Sequence, residues 1–300
     1  MFYIGKETCM LDHKVETFLT LCQTMNYTRA AEQLHITQPA VSQHIRALET
    51  EYGARFFHYE GKQLSLTEAG ALFLRTASAA RHDDLHLREL LRTAAGRRTL
   101  HFGATLTIGE YLMPGPLARL LRTDPDLRLR MIVNNTDALL AMLDQGEIDF
   151  AVIEGFYPRQ EYDGLVYTRE EMLPVCAPDH PLAKGEHELR ELLGEHLLVR
   201  EEGSGTREML QRALQERGLS LADFPRLAEL GSLNAIKALV RENCGITFCY
   251  RSAAARELKS GELCAVALRD FTLAHDFTFL WQKNSVFAPY YREVFAKLQP

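Results

Sequence analysis

The sequence contains no long apolar segment, and this absence argues against a membrane protein. No run approaches the roughly 18 consecutive apolar residues that a helix needs to cross a bilayer. The first ten residues, MFYIGKETCM, lack the basic start, apolar stretch and small-residue cleavage site of a secretion signal. We therefore expect a protein without a membrane span that works in the cytoplasm.

The motifs of the common enzyme classes are also missing. The chain has no GxSxG, no HExxH, no phosphate-binding loop and no GxGxxG with a suitable acid after it. The segment GSGT is rich in glycine but lacks the lysine of a phosphate-binding loop. We therefore predict that the chain is not an enzyme and has no catalytic residues and no cofactor.

The six cysteines are scattered through the chain without the spacing of a metal site. No CxxC pair occurs, and no Cys/His cluster has zinc spacing, so we predict no bound metal. We interpret the cysteines as reduced thiols that behave as small hydrophobic side chains. The alternative is a redox sensor that uses Cys244 and Cys249.

Negative charge is in excess, but only in one part of the chain. The net charge is −6, which disfavours bulk binding to nucleic acid. Residues 1–98 carry 12 basic and 11 acidic side chains, whereas the remaining 202 residues carry 22 basic and 29 acidic ones. A length of 300 residues suits two or three domains. We expect a nearly neutral N-terminal domain joined to an acidic C-terminal part.

The segment TRAAEQLHITQPAVSQHIRALE predicts two short helices joined by a tight turn. Thr28 is the expected N-cap of the first helix, and Thr37 is that of the second. Pro39 falls in the first turn of the second helix, where its missing N–H costs little. Ala30 and Ala31 would let the two helices cross closely, because a steep crossing after a short turn needs small side chains. This is the pattern of a helix-turn-helix.

The second helix presents a polar face that suits DNA. Val41, Ile45 and Leu48 recur at the spacing of the inward face. The opposite face carries short hydrogen-bonding side chains and one guanidinium, which match base edges and phosphates in a major groove. The alternative is a solvated face of an ordinary helical hairpin. We predict DNA contacts from Thr28, Arg29, Gln38, Pro39, Ser42, Gln43, Arg46 and Lys62.

The segment after this helix, YGARFFHYEGKQLSLTEAG, predicts a two-stranded wing. Gly53 is a helix stop, and Glu60-Gly61-Lys62 is turn-like. Leu64 and Leu66 alternate with polar residues, as in a half-buried strand. A wing can reach the DNA backbone, and Lys62 is the expected phosphate contact.

Residues 15–77 resemble the winged helix-turn-helix of the LysR-type transcriptional regulators. TRAAE, QPAVSQ, LE and LTEAG all occur in register. The resemblance implies a regulator that binds double-stranded DNA, with RNA polymerase as a candidate further partner. Two departures weaken the expected phosphate contacts: the wing carries His58-Tyr59-Glu60 where the family more often has a basic residue, and His44 stands where arginine is frequent.

A long helix is predicted from a cap at Thr67 to about Ala95. At ~1.5 Å per residue it would be about 42 Å long. No neighbouring segment obviously covers its stripe, so we expect a second copy to do so; the alternative is cover by its own chain. The resemblance favours a homodimer or homotetramer, and a two-fold pair implies a roughly palindromic operator. The stripe comprises Leu72, Phe73, Thr76, Ala80, Leu87, Leu90, Leu91 and Ala94.

The C-terminal two-thirds alternates strand and helix patterns, which predicts a doubly wound α/β fold. The polar segment 155–164 is a candidate hinge between two such units. The pattern is similar to the family's two-lobed effector domain, which resembles type 2 periplasmic binding proteins, with a chain that crosses twice between lobes. The predicted divisions are a DNA-binding domain over 10–67, a linker helix over 68–96 and an effector domain over 97–300, with lobe I at 97–160 and 270–300 and lobe II at 161–269.

Two loops are expected to face each other in the cleft between the lobes. ATLTIG ends the first strand, and GSGTRE opens a helix. Hydroxyls and free N–H groups at helix N-termini suit an anion, so we predict a small anionic or carboxylate co-inducer. In the resembled family the inducer binds in this cleft. The alternative is that these hydroxyls only cap helices. The predicted effector residues are Thr105, Thr107, Asn135, Ser204, Gly205 and Thr206.

The predicted mechanism is a population shift. An effector that binds one lobe arrangement better than another would change the angle between paired DNA-binding domains. Two lobes alone would also suit a solute-binding transport protein, but the helix-turn-helix and the missing secretion signal disfavour that class.

Overall fold

A computed structural model describes residues 11–61, 63–93 and 99–300. The predicted wing contact at Lys62, the end of the linker near Gly96 and the thiol of Cys9 lie outside these ranges.

The N-terminal domain is a winged helix-turn-helix, as predicted, with one further helix, His13–Thr24, packed against the other two. The strands β1 (Phe57–Glu60) and β2 (Gln63–Leu66) form the wing. They pair antiparallel, from Phe57 opposite Leu66 to Glu60 opposite Gln63. Phe18 is fully buried beneath the wing and the helices, in an apolar cluster that also contains Val41. The elements are α1 (His13–Thr24), α2 (Tyr27–Leu34), α3 (Gln38–Tyr52), β1 (Phe57–Glu60) and β2 (Gln63–Leu66).

One helix cap differs from its prediction. Asn26, not Thr28, caps α2: its Oδ1 accepts the N–H groups of Thr28 and Arg29 at 2.9 and 3.0 Å. Asn26 has the extended backbone of an N-cap, so the helix begins two residues earlier than predicted and Thr28 lies in its first turn. α3 begins as predicted, since the Thr37 side chain accepts from the Ala40 N–H.

α4 (Glu68–Thr93) is the predicted long helix, and it starts where the Thr67 hydroxyl accepts the Gly70 N–H at 2.9 Å. Its later turns pack on the α/β part of the same chain. His82 Nε2 donates to the Ile148 carbonyl at 3.0 Å, and His86 Nδ1 donates to Asp149 Oδ1 at 2.6 Å. Part of the helix is therefore covered by its own chain. The predicted stripe is different: it stays exposed at Leu72, Thr76, Ala80, Leu90 and Leu91.

The next elements build a parallel sheet. β3 (Thr99–Ala104) pairs in parallel with β4 (Arg128–Val133) on one side and with β5 (Phe150–Ile153) on the other. A π-helical turn, Ile108–Leu112, lies between β3 and the helix α5 (Pro114–Thr123). The elements are β3 (Thr99–Ala104), α5 (Pro114–Thr123), β4 (Arg128–Val133), α6 (Thr136–Asp144), β5 (Phe150–Ile153) and β6 (Tyr162–Cys176).

The second set of units also alternates strands and helices. The segment ELRELLG forms a 3-10 helix, Leu189–Gly194, and the helix α9 (Arg251–Ser260) directly follows a strand. The elements are β7 (Glu186–His187), β8 (His196–Arg200), α7 (Gly205–Gln215), β9 (Arg226–Leu230), α8 (Leu233–Arg241), β10 (Thr247–Tyr250), α9 (Arg251–Ser260), β11 (Cys264–Ala265), β12 (Ala267–Leu268), β13 (Leu273–Gln282) and α10 (Ala288–Leu298).

Two long strands connect the lobes. β6 and β13 run antiparallel from Tyr162 opposite Gln282 to Met172 opposite Leu273. β13 joins β5 in the first lobe, while β6 joins β10 and β11 in the second. One mixed sheet in the order β10-β6-β13-β5-β3-β4 therefore spans both lobes. The two-lobed fold is confirmed, but the candidate hinge is already strand from Tyr162 onward, because β6 must pair with β13.

Within the described ranges, no helix is both long enough and apolar enough to cross a membrane.

Candidate DNA-binding surface and inter-lobe site

α3 turns its predicted polar face outward. Gln38, Gln43 and Arg46 are exposed, whereas Val41 and Ile45 are buried in the core of the domain. The remaining predicted contacts on α2 and α3 also lie at the surface: Thr28, Arg29 and Pro39 are exposed, and Ser42 is half-buried. The polar face is free to enter a groove.

Close packing of small side chains positions this helix. Ala30 and Ala31 on α2 are buried in the same apolar cluster as Val41 and Ile45 on α3. The Ile36 N–H donates to the Ala31 carbonyl at 3.0 Å and closes the turn between the helices. The alanines therefore allow the close crossing that the sequence predicts.

A buried carboxylate ties α3 to the wing, and the sequence did not single it out. Glu49 Oε1 accepts the Phe56 N–H at 2.8 Å, and its Oε2 accepts from Arg55 Nη1 at 2.9 Å. The Glu49 side chain is only 8% exposed. Its signal was its place four residues after Ile45, on the inward side of the helix.

The two departures from the family pattern make contacts inside the domain. His44 Nδ1 and Thr17 Oγ1 lie 2.8 Å apart, and burial lowers the pKa of His44, so the ring is neutral at pH 7. In the wing, His58 Nε2 lies 3.0 Å from Glu60 Oε1. His44 therefore does not replace the positive charge that an arginine would bring to a phosphate.

The two predicted effector loops meet between the lobes. Thr107, which follows β3, has its Oγ1 3.4 Å from Oγ1 of Thr206 at the start of α7. Thr105, Thr107, Ser204 and Thr206 are all buried. The loops come from different lobes, so a ligand inserted here would contact both.

Helix capping accounts for some of the candidate hydroxyls and amides but not for all. Asn135 Oδ1 accepts the Ala138 N–H at 2.9 Å and thereby caps α6. Ser204 and Thr107 stand at helix starts without a side-chain capping bond. Ser204 Oγ and Thr105 Oγ1 are buried, and neither has a hydrogen-bond partner within the described residues. Asn135 is therefore a cap, while the others retain hydrogen-bonding capacity.

Glu154 is the central side chain of this cleft, and sequence reasoning missed it. It follows β5 directly and is 2% exposed. Thr206 Oγ1 donates to its Oε1 at 3.4 Å, and the Thr206 N–H and the Thr107 hydroxyl lie close enough to favour the charged form of the carboxyl. Burial raises the pKa of Glu154 to about 7, although these hydrogen bonds oppose the shift. The one available signal was an acid at the end of the apolar strand FAVI.

Gly205 has a specific reason to be glycine. A Cβ added there would lie 2.7 Å from Glu154 Cγ, closer than real Cβ contacts allow. The absence of a side chain lets the first turn of α7 approach the carboxyl group. Gly205 is therefore part of the site through its backbone.

The cysteines and metal-ligating residues give no second site here. Among the residues that the structure describes, no group of three or more His, Cys, Asp or Glu could hold a metal ion. Cys244 is exposed, whereas Cys249 is fully buried. Burial raises the pKa of Cys249 to about 12, which disfavours the reactive thiolate.

Two family models together match almost the whole described chain. Residues 13–71 match the bacterial regulatory helix-turn-helix protein, lysR family, and residues 93–299 match the LysR substrate binding domain. The chain belongs to the LysR family. It is a DNA-binding transcriptional regulator with an effector-binding domain, and the predicted resemblance is confirmed.

Individual relatives agree over most of their length. The chain is 30% identical over 281 residues to the RuBisCO operon transcriptional regulator of Allochromatium vinosum. This alignment covers 92% of this chain and 91% of the relative. It is 32% identical over 256 residues to the uncharacterized regulator YeiE of Escherichia coli K12, with 85% of each chain covered. The structure of a Corynebacterium glutamicum OxyR C206 mutant aligns with a TM-score of 0.62 and 25% identity over 96% of this chain and 90% of that one. The Allochromatium vinosum and Escherichia coli relatives are named as transcriptional regulators, which confirms the prediction that this LysR-family chain is not an enzyme.

Proposed function

We propose that this regulator contacts a roughly palindromic operator through Thr28, Arg29 and the outer face of α3, as a homodimer or homotetramer in the cytoplasm. The observation that carries the proposal is the outward polar face of α3 over a core of Val41 and Ile45. Its short amide and hydroxyl side chains and one guanidinium fit a major groove. Lys62 in the wing remains the proposed phosphate contact, and RNA polymerase remains a candidate partner.

We further propose that a small anionic effector binds where Thr107 meets Thr206. The supporting observation is a group of buried hydroxyls at the start of α7 that do not cap the helix. Backbone N–H groups and the positive end of a helix dipole at the same place favour an oxyanion. The proposed effector residues are Thr105, Thr107, Ser204, Gly205 and Thr206, and Asn135 is retained only as a cap close to the loop at Gly203.

The fold offers a route from this site to the DNA. The ligand would sit between lobes that are joined by β6 and β13, so its binding selects a particular lobe arrangement. The first lobe holds α4 through His82 and His86. A change in lobe arrangement would therefore move α4 and, through it, the winged domain. The domain divisions at residues 67, 96 and 160 stay part of this proposal.

Arg46→Ala tests the DNA-contacting face. We expect operator affinity to fall about 10- to 100-fold, because a guanidinium that contacts a base or phosphate contributes roughly 1–3 kcal/mol. Arg46 is exposed, so the fold should be unaffected. The measurement is fluorescence anisotropy with an operator located by footprinting of the wild-type protein. Arg256→Ala, which removes an exposed arginine on α9, should leave affinity unchanged. An unaltered footprint and affinity for Arg46→Ala would refute its role.

Thr107→Val combined with Ser204→Ala tests the effector site. We expect the pair to abolish the thermal stabilisation that wild-type protein shows in a screen of small carboxylates, phosphates and sulfate, because the hydroxyl donors are removed. Operator binding without effector should persist. The matched control is Thr123→Val with Ser260→Ala, two exposed hydroxyls remote from the cleft. Stabilisation that survives in the test pair would place the effector elsewhere.

A further inference from the structure

The proposed anion site already holds an anionic group of the chain itself. Thr206 Oγ1 at the start of α7 donates to Glu154 Oε1 at 3.4 Å, and the Thr206 N–H and the Thr107 hydroxyl lie close enough to favour the charged form of the carboxyl. These are the donors that an external oxyanion would use. An effector oxyanion must therefore share the place with Glu154 or displace it.

The site also has hydrogen-bonding capacity that the chain leaves unused. Glu154 Oε2 is buried and has no hydrogen-bond partner within the described residues. Ser204 Oγ and Thr105 Oγ1 are in the same condition. Buried polar atoms are normally paired with protein or water. Three unpaired polar atoms in this cleft, two on the loops and one on Glu154, therefore point to a ligand. These atoms, more than the helix terminus alone, identify a binding site.

The cations near Glu154 are already engaged with other carboxylates. Arg200 lies close enough to favour the charged form of Glu154, but its Nε and Nη2 donate to Glu201 at 2.7 Å each. Those two bonds lower the pKa of Glu201 against the opposing effect of partial burial. Arg207 on α7 donates to Glu229 at 2.5 Å. Arg200 Nη1 is buried and has no hydrogen-bond partner within the described residues, but one guanidinium that already pairs with Glu201 cannot balance both Glu154 and an incoming anion.

The other titratable groups that face Glu154 carry no positive charge at neutral pH. His275 on β13 lies near the Glu154 backbone, and burial lowers the pKa of its ring. Tyr250 on β10 is close enough to Glu154 and Glu170 to feel their charge, and burial keeps the pKa of its phenol well above 10. The uncompensated charge in the cleft is therefore negative. Two anionic groups that share buried donors cannot both stay ionised unless a proton lies between them.

We propose that an oxyanion binds at the start of α7 only together with a proton on Glu154, so that the cleft takes up the anion and the proton as a pair. The proton comes from solvent and resides on a Glu154 carboxyl oxygen, which either donates to the bound oxyanion or turns away from it. The proposal rests on the proposed effector site and specifies its ligand class as a carboxylate, phosphate, sulfonate or sulfate group. It makes the effector response dependent on pH.

The pKa of Glu154, raised to about 7, places this dependence in the neutral range. Below pH 7 the carboxyl is largely protonated and ready to accept the anion. Above pH 7 each binding event must first protonate a carboxylate, which costs about tenfold in affinity per pH unit. Between pH 6 and pH 8 we expect the affinity for a proton-free dianion to fall about tenfold in total, because only the upper part of this range lies above the pKa.

Isothermal titration calorimetry of the full-length protein with sodium sulfate tests the proposal. Titrations at pH 6, 7 and 8 in two buffers of different ionisation enthalpy measure the protons taken up per anion bound. Wild-type protein should take up about half a proton at pH 7, as expected for a group titrating near 7. Glu154→Gln should take up none and bind with equal affinity at pH 6 and pH 8. Uptake of zero in the wild type, uptake that persists in Glu154→Gln, or no sulfate binding to either protein at pH 6 would each overturn the proposal.

A second comparison separates this proposal from the effector site itself. If Thr107→Val with Ser204→Ala binds sulfate as the wild type does, the proposed site is wrong. If that pair loses binding but wild-type affinity is independent of pH, the site stands and only the coupling to a proton fails. The folded state of Glu154→Gln is checked by its melting temperature. A raised native pKa makes the wild type less stable as pH rises from about 5 to 8, so the variant should gain in melting temperature relative to the wild type over that range.

Discussion

Leu72→Glu combined with Leu91→Glu is expected to yield monomers that bind operator at least about 100-fold more weakly than the wild type. Both leucines lie on the exposed stripe of α4, at 58% and 67% exposure in a single chain. We propose that a second copy covers this stripe, since five of its eight positions are exposed in a single chain along a helix of 26 residues. Burying two carboxylates in that contact would oppose pairing. Linked half-sites commonly gain roughly 10²–10⁴ in affinity over a single one, and this gain would be lost.

Light scattering after gel filtration and anisotropy on the full operator measure the two effects. Leu72→Met with Leu91→Met keeps the apolar surface and should remain oligomeric. Folding is checked by circular dichroism, because both positions are exposed and neither change should disturb the core. A double glutamate variant that stays dimeric with wild-type affinity would show that α4 does not form the interface.

Phe18→Ala is expected to destabilise the winged domain by about 3–5 kcal/mol, the usual cost of removing a buried aromatic ring. Phe18 is fully buried, and its ring packs edge-on against Phe56 and Phe73 with centroids 5.3 and 4.8 Å apart. The lost ring would leave a cavity where α1, α4 and the base of the wing meet. Such a loss is a large share of a domain's typical 5–15 kcal/mol.

Urea unfolding of the full chain, followed by operator binding, checks this expectation. The earliest unfolding transition should move to lower urea, and operator binding should be lost at temperatures where the effector domain still responds to ligand. Phe18→Leu fills most of the space and should cost far less. An alanine variant with an unchanged unfolding profile would mean that the aromatic cluster contributes little to the domain.

The short-range patterns predicted the elements well. Residues that cap a helix, end it or recur at its period act over a few positions, so the sequence alone is enough to predict their effect. Thr37, Thr67 and Gly53 mark helix boundaries where the structure has them. The cap of α2 was misplaced because Asn26 and Thr28 both offer a suitable oxygen, and only the backbone conformation decides between them.

Contacts between distant residues were less predictable. β6 pairs along its length with β13, about 100 residues later, and this pairing extends the strand into the expected hinge at Tyr162. The contacts of another face of α4 were not predicted: His82 and His86 bind the carbonyl of Ile148 and the carboxylate of Asp149 in the same chain. The spacing of polar side chains along a helix does not predict which residue, more than 60 positions away, they will bind.

The sequence by itself indicated a LysR-family regulator, because the motifs TRAAE, QPAVSQ, LE and LTEAG that carry the resemblance are short stretches of the chain. Only the tertiary structure decided which polar groups are free to bind a ligand. Asn135 and Ser204 both precede a helix, but Asn135 caps its helix while Ser204 has a buried, unpaired hydroxyl. In the sequence, Glu154 only marks the end of an apolar strand. In the folded chain, its carboxyl lies beside Thr107 and Thr206. Burial and pairing arise from the approach of two lobes, so they belong to the fold and not to any stretch of chain.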